Sequence, residues 1–147
     1  MIVLRPVTPE NYDSALELHV TPEQERFVGP VMKSLADAFI HVGAEVRMAC
    51  DDDLPVGFVL IFPFELDGKP VVNIVRFLID ARYQGRGLGR ESLAATLDWI
   101  RSLVPRPQRV RISTLPDNEA ALALYRSMGF EDHGMEEGEL ALWQSLT

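Results

Sequence analysis

The stretch Gln84-Gly85-Arg86-Gly87-Leu88-Gly89 decides how this chain folds, because its three alternating glycines separate two regular patterns. An apolar run from Val71 to Ile79 precedes it, and a helical pattern from about Leu88 to Val104 follows it. Glycine lets the backbone adopt unusual dihedrals and lie close to a bulky group. The first amides of a helix are unpaired and lie at the positive end of its dipole. The stretch therefore predicts a strand, a loop and a helix N-terminus that together bind an anion, most often a phosphate.

Two common phosphate-binding motifs do not match this loop. A Walker loop requires a lysine directly after its last glycine, and no lysine is present here. The dinucleotide fingerprint requires G-x-G-x-x-G, but Arg90 stands where its third glycine would be. In a dinucleotide-binding domain, the glycine-rich turn also follows the first strand, whereas this loop lies past the middle of the chain. Both nucleotide classes are therefore disfavoured.

Length and composition predict one soluble domain. A chain of 147 residues with 47% hydrophobic and 24% charged residues is sufficient for a single core, so we expect one domain over residues 1–147. It has no run of eighteen apolar residues and no signal peptide pattern at its N-terminus. Its single cysteine, Cys50, cannot form an internal disulfide and is interpreted as a small residue in a strand. These features predict a cytoplasmic protein without a membrane segment.

The net charge of −8 restricts the choice of partner. It comes from 14 basic and 22 acidic side chains, which disfavours nucleic acid as the main partner. An acidic surface attracts cationic small molecules, although the same charge could simply keep the protein soluble. Charge alone does not separate these two interpretations.

The first half of the chain predicts one strand, two short helices and three strands. A cap at Thr8 with Pro9 predicts the first helix, and a capping box from Ser34 to Asp37, with a stop at Gly43, predicts the second. The predicted strands are Ile2 to Arg5, Val46 to Cys50, Val56 to Phe64 and Val71 to Ile79, with turns at Asp51-Asp52-Asp53 and Asp67-Gly68. The three aspartates lack the spacing of a calcium loop and are interpreted as a solvated turn.

The second half alternates helix and strand. The helix after the glycine loop is followed by a strand over Arg109 to Thr114, which we expect to run parallel to the strand before the loop. A helix opening at Pro116-Asp117-Asn118 and a hairpin of two strands, Phe130 to Met135 and Glu139 to Leu146, complete the chain. The predicted fold is α+β in the order β-α-α-β-β-β-α-β-α-β-β. It has a mixed, mostly antiparallel sheet of six to seven strands and about four helices.

Two motifs carry a resemblance to the GNAT N-acetyltransferases. Gln84, Gly87 and Gly89 match the acetyl-CoA loop of that family, [QR]-x-x-G-x-[GA]. The segment from Asn118 to Phe130 matches N-x-x-A-x-x-L-Y-x-x-x-G-F, which follows the fifth strand in the family. The predicted order of elements is also that of the family, so the resemblance covers nearly the whole chain. It implies an enzyme that transfers an acetyl group from acetyl-CoA to an amine, without a metal.

The resemblance also implies roles for individual residues. Asn118 would bond the pantetheine arm, and the Tyr125 hydroxyl would protonate the thiolate of CoA as a general acid, for which a phenol is suited. Without the motif, Asn118 could be only a helix cap, and Tyr125 could only pack on its helix. The other residues expected to hold acetyl-CoA are Phe77, Leu78 and Ile79 on the strand and Gln84, Gly85, Arg86, Gly87, Leu88, Gly89 and Arg90 in the loop.

The general base has no single candidate. Many GNAT enzymes place a glutamate on the strand before the loop, but the only ionisable residue between Val71 and Ile79 is Arg76. Acidic residues elsewhere are candidates for the base or for binding the substrate, and a water relay is a further alternative. These residues are Glu23, Glu25, Asp37 and Glu65.

The segment between the first two helices resembles bacterial diamine and polyamine N-acetyltransferases. The shared patterns are V-x-x-x-Q-x-x-F-V from Val20 to Val28 and S-L-A-x-A from Ser34 to Ala38. The chain departs from that subgroup at Asn73 and Val75, where the subgroup carries aromatic residues. The resemblance implies a small-molecule amine such as spermidine or spermine as acceptor, and a homodimer is compatible with it. Alternatives are a GNAT enzyme acting on a protein N-terminus or an antibiotic amine, or a non-catalytic sensor that only binds acyl-CoA.

Overall fold

The computed structural model describes residues 1–147 and contains one seven-stranded sheet with helices on both faces. The elements are β1 (Ile2–Pro6), α1 (Tyr12–Leu16), α2 (Val31–Ile40), β2 (Glu45–Asp51), β3 (Leu54–Leu66), β4 (Lys69–Ile79), α3 (Leu88–Arg101), β5 (Arg109–Thr114), α4 (Glu119–Ser127), β6 (Glu131–Glu136) and β7 (Glu139–Ser145). Short 3₁₀ turns occur at Pro22–Gln24 and Ala81–Tyr83. None of the helices is both long and apolar enough to cross a membrane.

The sheet has the order β1-β2-β3-β4-β5-β7-β6, and only β4 and β5 pair in parallel. The connection between them contains α3, as a parallel pair requires. The hairpin turn between β3 and β4 lies at Asp67-Gly68, as predicted. Both residues adopt positive φ angles, which is the geometry of a two-residue hairpin turn. The predicted α+β class, element order and mixed sheet are confirmed.

Two apolar cores lie on opposite faces of the sheet. Helices α3 and α4 pack on one face through Leu93, Leu97 and Leu122, against strand residues such as Val72 and Ile112. The short helices α1 and α2 cover the other face with a second cluster that contains Ala15, Val31, Met48, Phe58 and Leu78. Cys50 is buried in β2 within this second cluster, as the interpretation of a small strand residue predicted.

The starts of the first two helices differ from the prediction. Helix α1 begins at Tyr12 with Asn11 as its N-cap, because residues 9–11 form a turn in which the Thr8 amide donates to Asn11 Oδ1. Helix α2 begins at Val31, so Ser34 lies inside it, buried, and cannot cap it. A capping box does occur in this part of the chain, but between Thr21 and Gln24. The predicted caps at Thr8 and Ser34 are therefore wrong.

The end of β4 separates from β5 and opens the sheet. The two strands pair from Val71 with Arg109 to Ile74 with Ile112, and no further. Beyond that point β4 keeps β3 as its neighbour, with a bulge that leaves Val75 without a partner on β3. Because a bulge bends its strand and increases the local twist, it turns the last part of β4 away from β5. On the side that faces β5, the backbone edge of residues 75–79 thus has no strand paired with it.

Candidate active site

The opening between β4 and β5 contains a cavity with a volume of about 330 Å³. Its walls come from the end of β4, the glycine loop, β5, α4 and the segment between α1 and α2. The lining residues that matter below are Gln24, Phe27, Arg76, Phe77, Leu78, Ile79, Gln84, Gly85, Gly89, Ser113, Thr114, Asn118 and Tyr125. Most of the wall is apolar, with a few polar groups, as is usual for a small-molecule site.

The glycine loop presents a run of unpaired amides beside this cavity. Gly85 and Gly87 adopt φ angles of 80° and 79°, and a Cβ atom at either position would meet only open space. Gly87 is the N-cap of α3, which continues for 14 residues. None of the backbone N–H groups from Gln84 to Arg90 donates a hydrogen bond within the protein. The loop therefore directs donors and the positive end of a helix dipole outward, which fits a pyrophosphate group.

The positively charged side chains of the loop lie at its surface. Arg86 is exposed and lies near the ring of Tyr83, with 5.9 Å from its Cζ to the ring centroid. Arg90 donates from Nη1 to the Ser127 hydroxyl on α4 at 2.9 Å. Leu88 is buried in the core, so its contribution to an anion site is its backbone amide alone.

Asn118 lies at the start of α4 but does not cap it with its side chain. Its Nδ2 donates to Thr114 Oγ1 on β5 at 3.0 Å, which fixes the side chain in the cavity wall. Its Oδ1 accepts no hydrogen bond from the protein. Asn118 thus takes the N-cap position through its backbone and not through its side chain, and the free side-chain oxygen can accept from an amide N–H in the cavity.

Tyr125 is a buried phenol on the same helix, α4. It is 6% exposed, packs with its ring centroid 6.1 Å from that of Phe130, and still lines the cavity. Burial, and then the negative charge of Glu139, raise the pKa of the Tyr125 hydroxyl above its ordinary range. The phenol therefore carries its proton at any physiological pH.

The arrangement matches a known family over most of the chain. The family model described as Acetyltransferase (GNAT) family matches residues 11–130. This chain is a GNAT acetyltransferase. The spermine/spermidine N(1)-acetyltransferase of Bacillus subtilis (strain 168) is 34% identical over 138 residues, which is 90% of each chain.

Two solved structures of other proteins have the same fold as this GNAT acetyltransferase. The spermidine N-acetyltransferase from Vibrio cholerae in complex with CoA and spermine has a TM-score of 0.77 at 15% identity, covering 98% of this chain and 95% of that one. An aminoglycoside N(6')-acetyltransferase from Legionella pneumophila also has a TM-score of 0.77, at 17% identity, covering 98% and 91%. Enzymes of this family use acetyl-CoA, and the unpaired loop amides and the free Asn118 oxygen fit that molecule.

Gln24 connects the two halves of the acetyltransferase's cavity, a role that the sequence patterns alone did not assign. The side-chain amides of Gln24 and Gln84 bond each other reciprocally at 3.0 and 2.8 Å, and Gln84 Nε2 also donates to the Ile79 carbonyl at 2.9 Å. Gln24 Oε1 in addition accepts from the Thr21 amide. The glycine loop and the segment between α1 and α2 are thereby joined. The Gln84 side chain is engaged in this contact, which leaves its backbone amide for a ligand.

Asp80 is a second residue of the GNAT acetyltransferase that sequence reasoning did not single out. Its carboxylate is fully buried and accepts from the backbone amides of His19 and Arg82 and from two nitrogens of the Arg82 guanidinium. Burial alone would raise the pKa of Asp80, but these hydrogen bonds outweigh it and hold the pKa below its ordinary value. Asp80 thus joins the chain after α1 to the start of the loop.

None of the predicted acidic candidates lines the cavity of the acetyltransferase. Glu23, Glu25 and Glu65 are exposed. Asp37 is partly buried on α2 and forms ion pairs with Lys33 at 3.1 Å and Arg76 at 3.5 Å. The structure contains no group of three or more metal-ligating side chains, and Asp51-Asp52-Asp53 form a turn.

Proposed function

We propose that this acetyltransferase moves an acetyl group from acetyl-CoA to a primary amine of a polyamine such as spermidine or spermine, with Tyr125 as the proton donor. The observation that carries the proposal is the convergence of the loop amides, the open edge of β4, Asn118 and Tyr125 on one cavity. The relative that is 34% identical over 90% of both chains bears the name of a spermine/spermidine acetyltransferase, which supports the acceptor class.

The binding of acetyl-CoA is divided among three groups of residues. The amides from Gln84 to Arg90 hold the pyrophosphate, with Arg86 and Arg90 adding positive charge nearby. The open backbone edge at Phe77, Leu78 and Ile79 pairs with the amide groups of the pantetheine arm, as a β-strand pairs with its neighbour. Asn118 accepts a further hydrogen bond from the arm through its free Oδ1. When bound, acetyl-CoA supplies the acetyl group as a thioester.

Tyr125 supplies the proton that the departing sulfur needs. Its hydroxyl is protonated at physiological pH because burial raises its pKa, so it acts as an acid and not as a base. The apolar wall that raises the pKa of the phenol also raises the pKa of the CoA thiol, because both anions are disfavoured there. The proton transfer from the phenol oxygen to the sulfur is therefore between groups whose pKa values shift in the same direction. The amine nitrogen forms a bond to the carbonyl carbon as the carbon–sulfur bond breaks, and the phenol proton goes to sulfur. The nitrogen then loses one proton to solvent, and the phenolate takes one proton back from solvent.

The proposal is tested by thiol release from acetyl-CoA with spermidine, spermine and putrescine at pH 7 and pH 9. We expect release that rises with pH, because a primary amine with a pKa of about 10.4 gains nucleophilic free base as the pH increases. The Tyr125→Phe variant should lose about 100-fold or more in kcat, the usual contribution of a general acid. The exposed Tyr12 on α1 provides the matched control, and Tyr12→Phe should retain the wild-type rate.

Other acceptors in the same assay separate the alternatives. Release with a short basic peptide or an aminoglycoside, but with no polyamine, would replace the acceptor class and leave the acetyltransferase activity standing. CoA binding without release to any amine would instead support a sensor. A Tyr125→Phe variant as active as Tyr12→Phe would refute the role of the phenol.

A further inference from the structure

Arg76 is the only permanently charged side chain in the cavity wall. It lies on the open part of β4, and its side chain is 22% exposed. Its Nη1 donates to the Val75 carbonyl at 3.1 Å, while its buried Nε makes no hydrogen bond. A Cβ added to Gly29 would lie 3.3 Å from that Nε, so the segment between α1 and α2 lies directly over Arg76. Arg76 is therefore in the part of the cavity that the segment between α1 and α2 covers.

The charges around Arg76 leave this region with a positive balance. From α2, Asp37 faces Arg76 at 3.5 Å, but Lys33 binds the same carboxylate at 3.1 Å, and His41 lies near the end of that helix. The hydrogen bond from Lys33 outweighs partial burial and holds the pKa of Asp37 below its ordinary value, so Asp37 stays ionised. Two cations thus share one carboxylate.

The other charged groups near the cavity do not change this balance. Arg26, on the segment above Arg76, is paired with Asp117 at 2.6 Å. From the α4 side the neutral Tyr125 faces the cavity, and Glu139 lies behind Ser113, which donates to it at 2.8 Å. No carboxylate lines the cavity itself.

An ammonium group that enters this region loses water and approaches a cation. Both effects disfavour the charged form of an amine and lower its pKa. A neighbouring cation is one known means of making an amine nucleophilic near neutral pH. We propose that Arg76 makes the cavity accept the reacting amine as its free base, in place of a carboxylate general base. In this step R–NH₃⁺ gives R–NH₂ and one proton, which goes to bulk solvent. The inference rests on the proposed function, because it concerns the amine that this function acetylates.

The experiment that tests Arg76 measures proton release when spermidine binds to the enzyme saturated with CoA, which cannot transfer an acetyl group. Titration calorimetry in buffers of different ionisation enthalpy, between pH 6 and 9, gives the number of protons released per amine bound. We expect release for the wild type, with its midpoint about one pH unit higher in Arg76→Gln, since one nearby charge is removed. Arg76→Lys should keep the wild-type midpoint. Asp37→Asn should move it to lower pH, because the carboxylate that offsets Arg76 is lost.

A kinetic measurement on the same variants separates this role from a structural one. At saturating acetyl-CoA and amine, the acid limb of kcat reports the amine in the ternary complex. In Arg76→Gln the acid limb of the kcat–pH profile should shift to higher pH by about one unit, so that kcat at pH 7 falls about tenfold. The KM for the amine should decrease, because the charged amine is no longer repelled. A merely structural role would lower kcat equally at every pH. Arg101→Gln, a change of the same charge at a partly exposed position on α3 outside the cavity, should leave the limb in place.

The outcomes distinguish the two proposals. An Arg76→Gln variant that releases as many protons and shows the same acid limb as the wild type, while still acetylating spermidine, would overturn the role of Arg76 and leave the proposed function intact. If the CoA complex of the wild type binds no polyamine, both the acceptor class and the role of Arg76 are refuted.

Discussion

Replacing Asp80 with asparagine tests whether a buried carboxylate holds the chain after α1 and the start of the glycine loop together. Asp80 Oδ1 accepts from the Arg82 amide at 2.9 Å and from Arg82 Nε at 2.8 Å, while Oδ2 accepts from the His19 amide at 3.1 Å and from Arg82 Nη2 at 3.2 Å. In Asp80→Asn one oxygen becomes an NH₂ group that faces two donors. Whichever way the amide is turned, two hydrogen bonds are lost and a backbone N–H is left without its acceptor.

The expected loss follows from those contacts. Leaving a buried donor unsatisfied costs roughly 1–3 kcal/mol, and two such losses give about 2–4 kcal/mol once the exposed Arg82 is discounted. For a domain of this size that corresponds to a decrease of about 10 °C in Tm. Thermal and urea unfolding followed by circular dichroism measure it.

A surface pair of the same type provides the control. Arg126 and Asp132 also form a two-pronged ion pair, at 2.9 and 2.8 Å, but both side chains are about half exposed. Asp132→Asn should therefore change Tm much less than Asp80→Asn, because solvent screens the exposed pair. An Asp80→Asn variant no less stable than Asp132→Asn would refute the argument from burial.

The pH dependence of the same difference gives a second check. The pKa of Asp80 is lowered in the folded protein, so its contribution is complete above the unfolded value of about 3.9 and is lost as the pH falls through the folded value. The gap in unfolding free energy between the wild type and Asp80→Asn should stay constant from pH 8 to pH 5 and narrow below about pH 4. A gap that closes already near pH 6 would contradict this assignment.

Two further predictions concern the loop. In Gly87→Ala the added methyl group meets no neighbour, so the loss of stability comes from the left-handed backbone alone and is about 1–2 kcal/mol. We also expect weaker CoA binding in calorimetry, and unchanged CoA affinity would show that the loop amides do not hold the ligand. Gln24→Leu removes the amide pair with Gln84, so we expect KM to increase for both acetyl-CoA and the amine, whereas an increase for the amine alone would show that the pair does not position the loop.

Local patterns predicted most of the elements but not every boundary. The strands and α3 were predicted close to their observed positions because their hydrophobic periods extend over several residues. The caps at Thr8 and Ser34 were misplaced because a capping side chain in the sequence does not say whether it will be solvated or buried. Ser34 is inside a helix against the sheet, and Asn11 and Thr21 take the turn and capping positions instead.

The sequence by itself determined the glycine loop, the order of elements and the Asn118 to Phe130 motif, because each depends on residues that are neighbours along the chain. Only the tertiary structure decided what surrounds the cavity, since that depends on side chains far apart in sequence. It leaves Glu23 and Glu25 exposed, pairs Asp37 with Arg76 across 39 positions, and brings Gln24 to Gln84 across 60. The charge around the cavity is a sum over such contacts, and no single segment of the chain contains it.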